Sequence, residues 1–148
     1  MLFCDTSTLA KYYVPEAQSG AVCARLDAED QVLLSELARA ELMGVFHRRL
    51  RERKWSRDEF HTVVRQFSTD EVGGYWTWVP LDSGIVEQVV RTYGTLPDDV
   101  FLRTADCLHL VTALRHGFTE IHTHDTHQRD GAGALGLTAV AIGQSGKV

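Results

Sequence analysis

Five short apolar runs, MLFCD, QVLLS, YWTWV, EIHTH and TAVAIG, alternate with segments of helical periodicity along the 148 residues. Such alternation predicts an α/β layer structure, three layers deep, with a mainly parallel central sheet of about five strands flanked by helices. A short helix is expected from Thr8 to Tyr13, and Pro15 suits the first position of a second, EAQSGAVCARLDAE. Ser35 can cap a long helix over 36–54, and Ser56 with Glu59 has capping-box spacing for another to about Glu71. Asp82 can cap a helix to about Tyr93. The stretch 99–116 is the most hydrophobic helix, ended by Gly117, and a short glycine-interrupted helix spans about 127–135. No linker, repeat or low-complexity tract divides the chain. One domain over 1–143 is expected, with a frayed tail at 144–148.

Within this pattern four acids stand where a charge is expensive. Asp5 and Asp125 follow apolar strands, the position just beyond the carboxyl ends of parallel strands where open sheets bind ligands. Glu41 shares a helical stripe with Leu37 and Val45, and Asp106 shares one with Leu102 and Leu110. Carboxylates near a core need a partner, a proton or a metal. Four of them brought together make a site for hard cations such as Mg²⁺ or Mn²⁺, which points to metal-assisted phosphodiester chemistry. Simpler readings exist for each. Asp5 can be a helix N-cap, Glu41 can pair with Arg39 or Arg48, and Asp106 can pair with an arginine or a histidine. Thr6 and Thr123 are placed to orient the strand-end acids or a metal-bound water.

Composition narrows the function classes. No apolar run approaches the roughly 18 residues that span a membrane. MLFCD carries an acid where a signal peptide would be basic and then apolar, so a cytoplasmic protein is expected. Cys4, Cys23 and Cys107 lack CxxC spacing and are read as buried free thiols. A formal net charge of −5 disfavours a protein that coats nucleic acid, but the acid cluster itself supplies up to −4 of that charge.

The residues carry a family resemblance. FCDTSTLAKYYVPE, SELARAEL, LRTADCLHLVTAL, and THD followed by GALGL resemble, in this order, the four acidic segments of PIN-domain ribonucleases of the VapC-like toxin group. The likeness covers nearly the whole chain. It implies a single PIN-like nuclease domain whose metal-binding and catalytic acids are Asp5, Glu41, Asp106 and Asp125, with Thr6 and Thr123 as accessory hydroxyls. It also implies Mg²⁺- or Mn²⁺-dependent endonucleolytic cleavage of RNA, a homodimer, and a cognate antitoxin of the kind that commonly pushes a basic side chain into the acidic pocket. Near the fourth acid the chain departs from the family pattern, with three histidines, an extra Asp130 and added glycines. Asp125 is favoured over Asp130 because it ends the strand.

Hydrolysis by a metal-activated water in line with the phosphate would leave 5′-phosphate and 3′-hydroxyl ends. For RNA, the stretch RRLRERK offers Arg48, Arg49, Arg51, Arg53 and Lys54, five of fifteen basic residues, and Trp55 could stack a base. The same residues also suit a solvated helix end. Of Trp76 and Trp78, one should face the core, and His109 is read as a packing residue that could also bond a site carboxylate.

Two other classes compete. One is a zinc-binding hydrolase or module using His122, His124 and His127. The other is a non-catalytic RNA- or partner-binding domain of the same fold. An Asp-nucleophile phosphatase would want an acid at position 7, which is Ser7, and no Walker-type loop is present. The apolar and aromatic content of helices 36–54 and 56–71 exceeds one core face and is the candidate dimer surface.

Overall fold

The computed structural model describes residues 1–144; positions 145–148 of the expected tail lie outside the described residues. In chain order the elements are β1 (Leu2–Phe3), α1 (Thr6–Tyr13), α2 (Ser19–Asp27), β2 (Val32–Ser35), α3 (Leu37–Arg51), α4 (Arg57–Val72), β3 (Trp76–Val79), α5 (Ser83–Thr95), α6 (Thr104–Arg115), β4 (Glu120–His122), α7 (Thr126–Ala134) and β5 (Thr138–Val140). Among the described residues no helix is long and apolar enough to cross a membrane.

Every strand pairing is parallel. Leu2 pairs with Val32, Val32 with Trp76, and Glu120 with Thr138. The expected five-strand sheet is present as a three-strand and a two-strand sheet. A single parallel bridge, Cys4 to His122, joins them, together with a bond from the Asp5 amide to the His122 carbonyl. The resulting order is β3-β2-β1-β4-β5. The chain therefore begins in the middle, builds outward on one side, and returns to build outward on the other. The reversal lies between β1 and β4, and this is the crevice where doubly wound sheets hold their ligands.

Strand alternation divides the core into two layers. Leu2, Cys4, Val32 and Leu34 face a cluster with Leu9, Tyr13, Leu42, Phe46 and Phe67 from α1, α3 and α4. Phe3, Leu33 and Ile121 face the other side, with Ile85, Val89, Leu110 and Val111 from α5 and α6. Helices on both faces of the strands give the expected three layers. Of the two tryptophans of β3, Trp76 is buried, its Nε1 donating to the Tyr13 hydroxyl, while Trp78 is only partly buried.

Several boundaries differ from expectation for local reasons. Pro15 lies in the irregular segment between α1 and α2 rather than in a helix; Gln18 takes a left-handed φ of 68° and α2 starts at Ser19. The long third helix stops at Arg51, and Arg53 turns the chain with φ 57° before Ser56 and Glu59 close the expected capping box of α4. Helix α6 starts at Thr104, which places Asp106 in its first turn rather than its middle. The glycines of α7 have a packing reason at Gly131, where a Cβ would come within 2.5 Å of Leu102 Cδ1. Cys4 and Cys107 are buried and Cys23 is half-buried, all as free thiols. The surplus aromatics of this region, Trp55 between α3 and α4 and Phe60 of α4 among them, pack on the first cluster, whereas Val86, Val90 and Tyr93 of α5 are exposed. The surface suggested for a dimer is thus largely used within the chain.

Candidate active site

All four acids line one pocket at the sheet reversal: Asp5, Glu41, Asp106 and Asp125, joined by Thr6, Ser7, Arg103 and His109. Each element brings its acid there by a separate route. Asp5 and Asp125 leave the carboxyl ends of neighbouring strands, and α3 and α6 present Glu41 and Asp106.

Asp5 is 2% exposed and also N-caps α1. Its carboxylate accepts from the Thr8 amide at 3.0 Å, the Ser7 hydroxyl at 2.8 Å and the Thr123 hydroxyl at 2.7 Å. Burial raises the Asp5 pKa above the usual carboxylate value, although nearby His109 and these hydrogen bonds oppose the shift. Thr123 Oγ1 in turn accepts from the Asp125 amide at 3.1 Å, so one hydroxyl ties the two strand-end acids together.

Glu41 has neither of the arginine partners considered for it. Its carboxylate accepts from the Thr6 hydroxyl and, at 2.7 Å, from His109 Nε2. Burial works to raise its pKa, but His109, Thr6 and Arg103 outweigh burial and hold it below the usual value. His109 is 2% exposed, and its Nδ1 has no partner among the described residues. Packing and carboxylate bonding, the two roles weighed for His109, are both present.

Asp106 is 6% exposed and paired with Arg103. Arg103 Nε lies 2.6 Å from Asp106 Oδ2, and Nη2 lies 3.2 Å from Oδ1. The same Nη2 donates to Asp125 Oδ2 at 2.6 Å. Asp125 N-caps α7, its other oxygen accepting from the amides of His127 and Gln128 at 2.8 and 3.2 Å. Burial works to raise its pKa, but Arg103 and those amides hold it below the usual value. The two carboxylates push the Arg103 guanidinium pKa up in return. Asp130 is exposed and lines a different depression, with Thr126 and Arg129, so Asp125 is the acid of this segment that reaches the pocket.

Hard oxygen donors, carboxylates with hydroxyls, suit Mg²⁺ or Mn²⁺ in kind. Their arrangement is a different matter. Among the described residues no three acidic, histidine or cysteine groups stand close enough to hold an ion. Between two of the acids lies a guanidinium, that of Arg103, bonded to both.

Arg48 and Arg49 line the pocket, together with Lys11. Glu16 pairs with both Lys11, at 3.2 Å, and Arg49, at 3.3 Å. Arg51, Arg53 and Lys54 do not line it, and half-buried Trp55 packs on Phe46 with ring centroids 5.8 Å apart. The three histidines go to separate partners. His122 Nε2 lies 3.0 Å from Glu120, His124 Nε2 donates to the Ile142 carbonyl at 2.9 Å, and His127 packs edge-on against Phe101 at 5.2 Å. The zinc cluster weighed as a competing reading is not assembled among the described residues. The arginine partner weighed for Asp106 is Arg103, which sequence reasoning did not single out, and Ser7 was missed as a site residue. The spacing of Arg103 three residues before Asp106 was the available sign, since such pairs meet on a helix.

The PIN domain family model matches residues 2–134. The chain belongs to the PIN-domain family. Among solved structures it is similar to VapC20 of Mycobacterium tuberculosis, a sarcin-ricin-loop-cleaving toxin. That match has TM-score 0.71 and 15% identity, and covers 95% of this chain and 99% of the other. FitAcB from Neisseria gonorrhoeae is similar with TM-score 0.71 and 20% identity, over 94% and 96% of the two chains. A toxin–antitoxin complex from Klebsiella pneumoniae matches with TM-score 0.65 and 18% identity, over 95% and 97%. No curated protein matches the sequence.

Proposed function

We propose that this protein is a metal-dependent endoribonuclease and the toxin of a toxin–antitoxin pair. The observation that carries the proposal is the convergence of Asp5, Glu41, Asp106 and Asp125 on one pocket at the sheet reversal of a PIN domain. The toxin role draws on the similar structures, which include a sarcin-ricin-loop-cleaving toxin and a toxin–antitoxin complex.

The four acids would hold Mg²⁺ or Mn²⁺, which supplies an activated water and offsets charge at the phosphorus. The chain's own residues do the rest. Thr123 and Ser7 fix the Asp5 carboxylate, and Thr6 and His109 fix that of Glu41. Arg48 and Arg49 at the pocket wall would track the RNA backbone. A homodimer, a cognate antitoxin and a cytoplasmic location complete the reading.

The test is cleavage of a labelled small-RNA pool by antitoxin-free protein with Mg²⁺ or Mn²⁺, with EDTA, and with Asp106→Asn. Discrete fragments with 5′-phosphate ends, absent in EDTA and in the variant, are expected. Products ending in 2′,3′-cyclic phosphate would overturn the mechanism. One observation favours a second reading, a non-catalytic RNA-binding module: the Arg103 guanidinium is already paired with both Asp106 and Asp125. Binding of RNA without cleavage, indifferent to EDTA, would support it.

A further inference from the structure

Arg103 breaks a local rule. It is the N-cap residue of α6, and its side chain makes no capping bond. Arginine offers no acceptor to the free amides of a helix start, and its charge is of the wrong sign for the positive end of the dipole. Helix stability therefore does not explain its position, and two other contacts do. The Tyr93 hydroxyl donates to the Leu102 carbonyl at 2.7 Å, and the Leu102 side chain packs against α7 where Gly131 admits it. These contacts fix the backbone just before Arg103 from two sides. From there the guanidinium lies across Asp106 and Asp125, with two of its donors at 2.6 Å.

The guanidinium is planar and permanently charged, and it matches carboxylates through paired bonds. Its side chain is 47% exposed, so it can swing toward solvent without leaving a buried hole. We propose that Arg103 is a resident counter-cation of the acidic pocket, and that it competes with a divalent ion for the carboxylates of Asp106 and Asp125. Without an ion it offsets part of the repulsion between the two acids. When an ion binds, Arg103 gives up at least one of them, and ion affinity is set by the difference between the two cations. The inference rests on the metal-dependent reading above.

Competition has a sign that ordinary support of the site does not. A residue that merely aligned metal ligands would weaken ion binding when removed. A competitor would strengthen it. Mn²⁺ affinity of the full, antitoxin-free chain should be measured by titration calorimetry for the wild type, Arg103→Gln and Arg103→Lys. Urea unfolding alongside checks that each is folded. Arg103→Gln is expected to bind Mn²⁺ on the order of fivefold to tenfold more tightly, the scale of losing partly exposed ion pairs. Arg103→Lys should fall between, because a point charge competes without the paired geometry. In the wild type labelled with ¹⁵N, the Arg103 Nε–H resonance should move on titration with diamagnetic Mg²⁺. Wild-type binding with equal or weaker affinity in folded Arg103→Gln would overturn this inference and leave the nuclease reading standing. No Mn²⁺ binding by wild type or variant would overturn both.

Discussion

The two halves of the acidic pocket solve one problem in opposite ways. On one side Asp5 and Glu41 are held mostly by hydroxyls and an amide, those of Ser7, Thr123, Thr6 and Thr8, with His109 beside them on Glu41. On the other, Asp106 and Asp125 share one arginine. The first half is fixed in geometry, and at Asp5 a net cost of burying the charge remains. The second is only half-compensated in charge by its arginine, and Arg103 and Asp125 lie partly open to solvent, so the counter-ion can exchange. Preorganisation and exchangeability are thus assigned to different carboxylates of one site.

The sharpest break is removal of an acid from the exchangeable half. Asp106→Asn should lower RNA cleavage about 100-fold or more in single-turnover assays with Mg²⁺, while leaving the fold intact. The next largest effect falls on the fixed half. His109→Ala removes a side chain only 2% exposed and strips Glu41 of a donor, so it should cost about 2–4 kcal/mol in urea unfolding. By contrast Arg103→Gln should cost at most about 1 kcal/mol, its ion pairs being partly exposed and screened by salt.

Acid and base behaviour separates the halves further. Because burial raises the Asp5 pKa, metal-free stability falls as pH rises from the ordinary carboxylate value through the raised one. Asp5→Asn should therefore raise the Tm in EDTA at neutral pH by about 2–4 °C, and Mg²⁺ should stabilise the wild type more than the variant. Asp125 has the opposite sign. Its depressed pKa gives a contribution that is complete above the ordinary value and lost as pH falls through the lowered one. Asp125→Asn keeps a competent cap and removes only the charge. It should lose about 0.5–1 kcal/mol at neutral pH and nothing at strongly acidic pH, measured by urea unfolding across the range.

Much of this was legible in the sequence. Apolar runs bounded by acids located β1 and β4, and the i, i+4 stripes aimed Glu41 and Asp106 inward. The capping box of α4 formed as its spacing required. What escaped was set by tertiary placement. Arg103 looks like a surface residue until the start of α6 at Thr104 puts it opposite Asp125, twenty-two residues on. The basic run beyond Glu41 looked continuous, but Arg48 and Arg49 of α3 line the pocket while Arg51 of the same helix does not, and the turn at Arg53 takes Arg53 and Lys54 off the helix. Three histidines close in sequence suggested one cluster; β4 ends at His122, and the chain then sends His124 and His127 to different neighbours.

Asp5 and Asp125 do more than line a pocket, since each also begins a helix. This gives the site an uneven path of decay. A descendant released from selection for chemistry could shed Glu41 or Asp106 early. It would keep Asp5 and Asp125, or Asn or Ser in their place, for as long as α1 and α7 had to start where they do. Among PIN domains that have lost activity, surviving polar residues at these two positions would record architecture rather than catalysis.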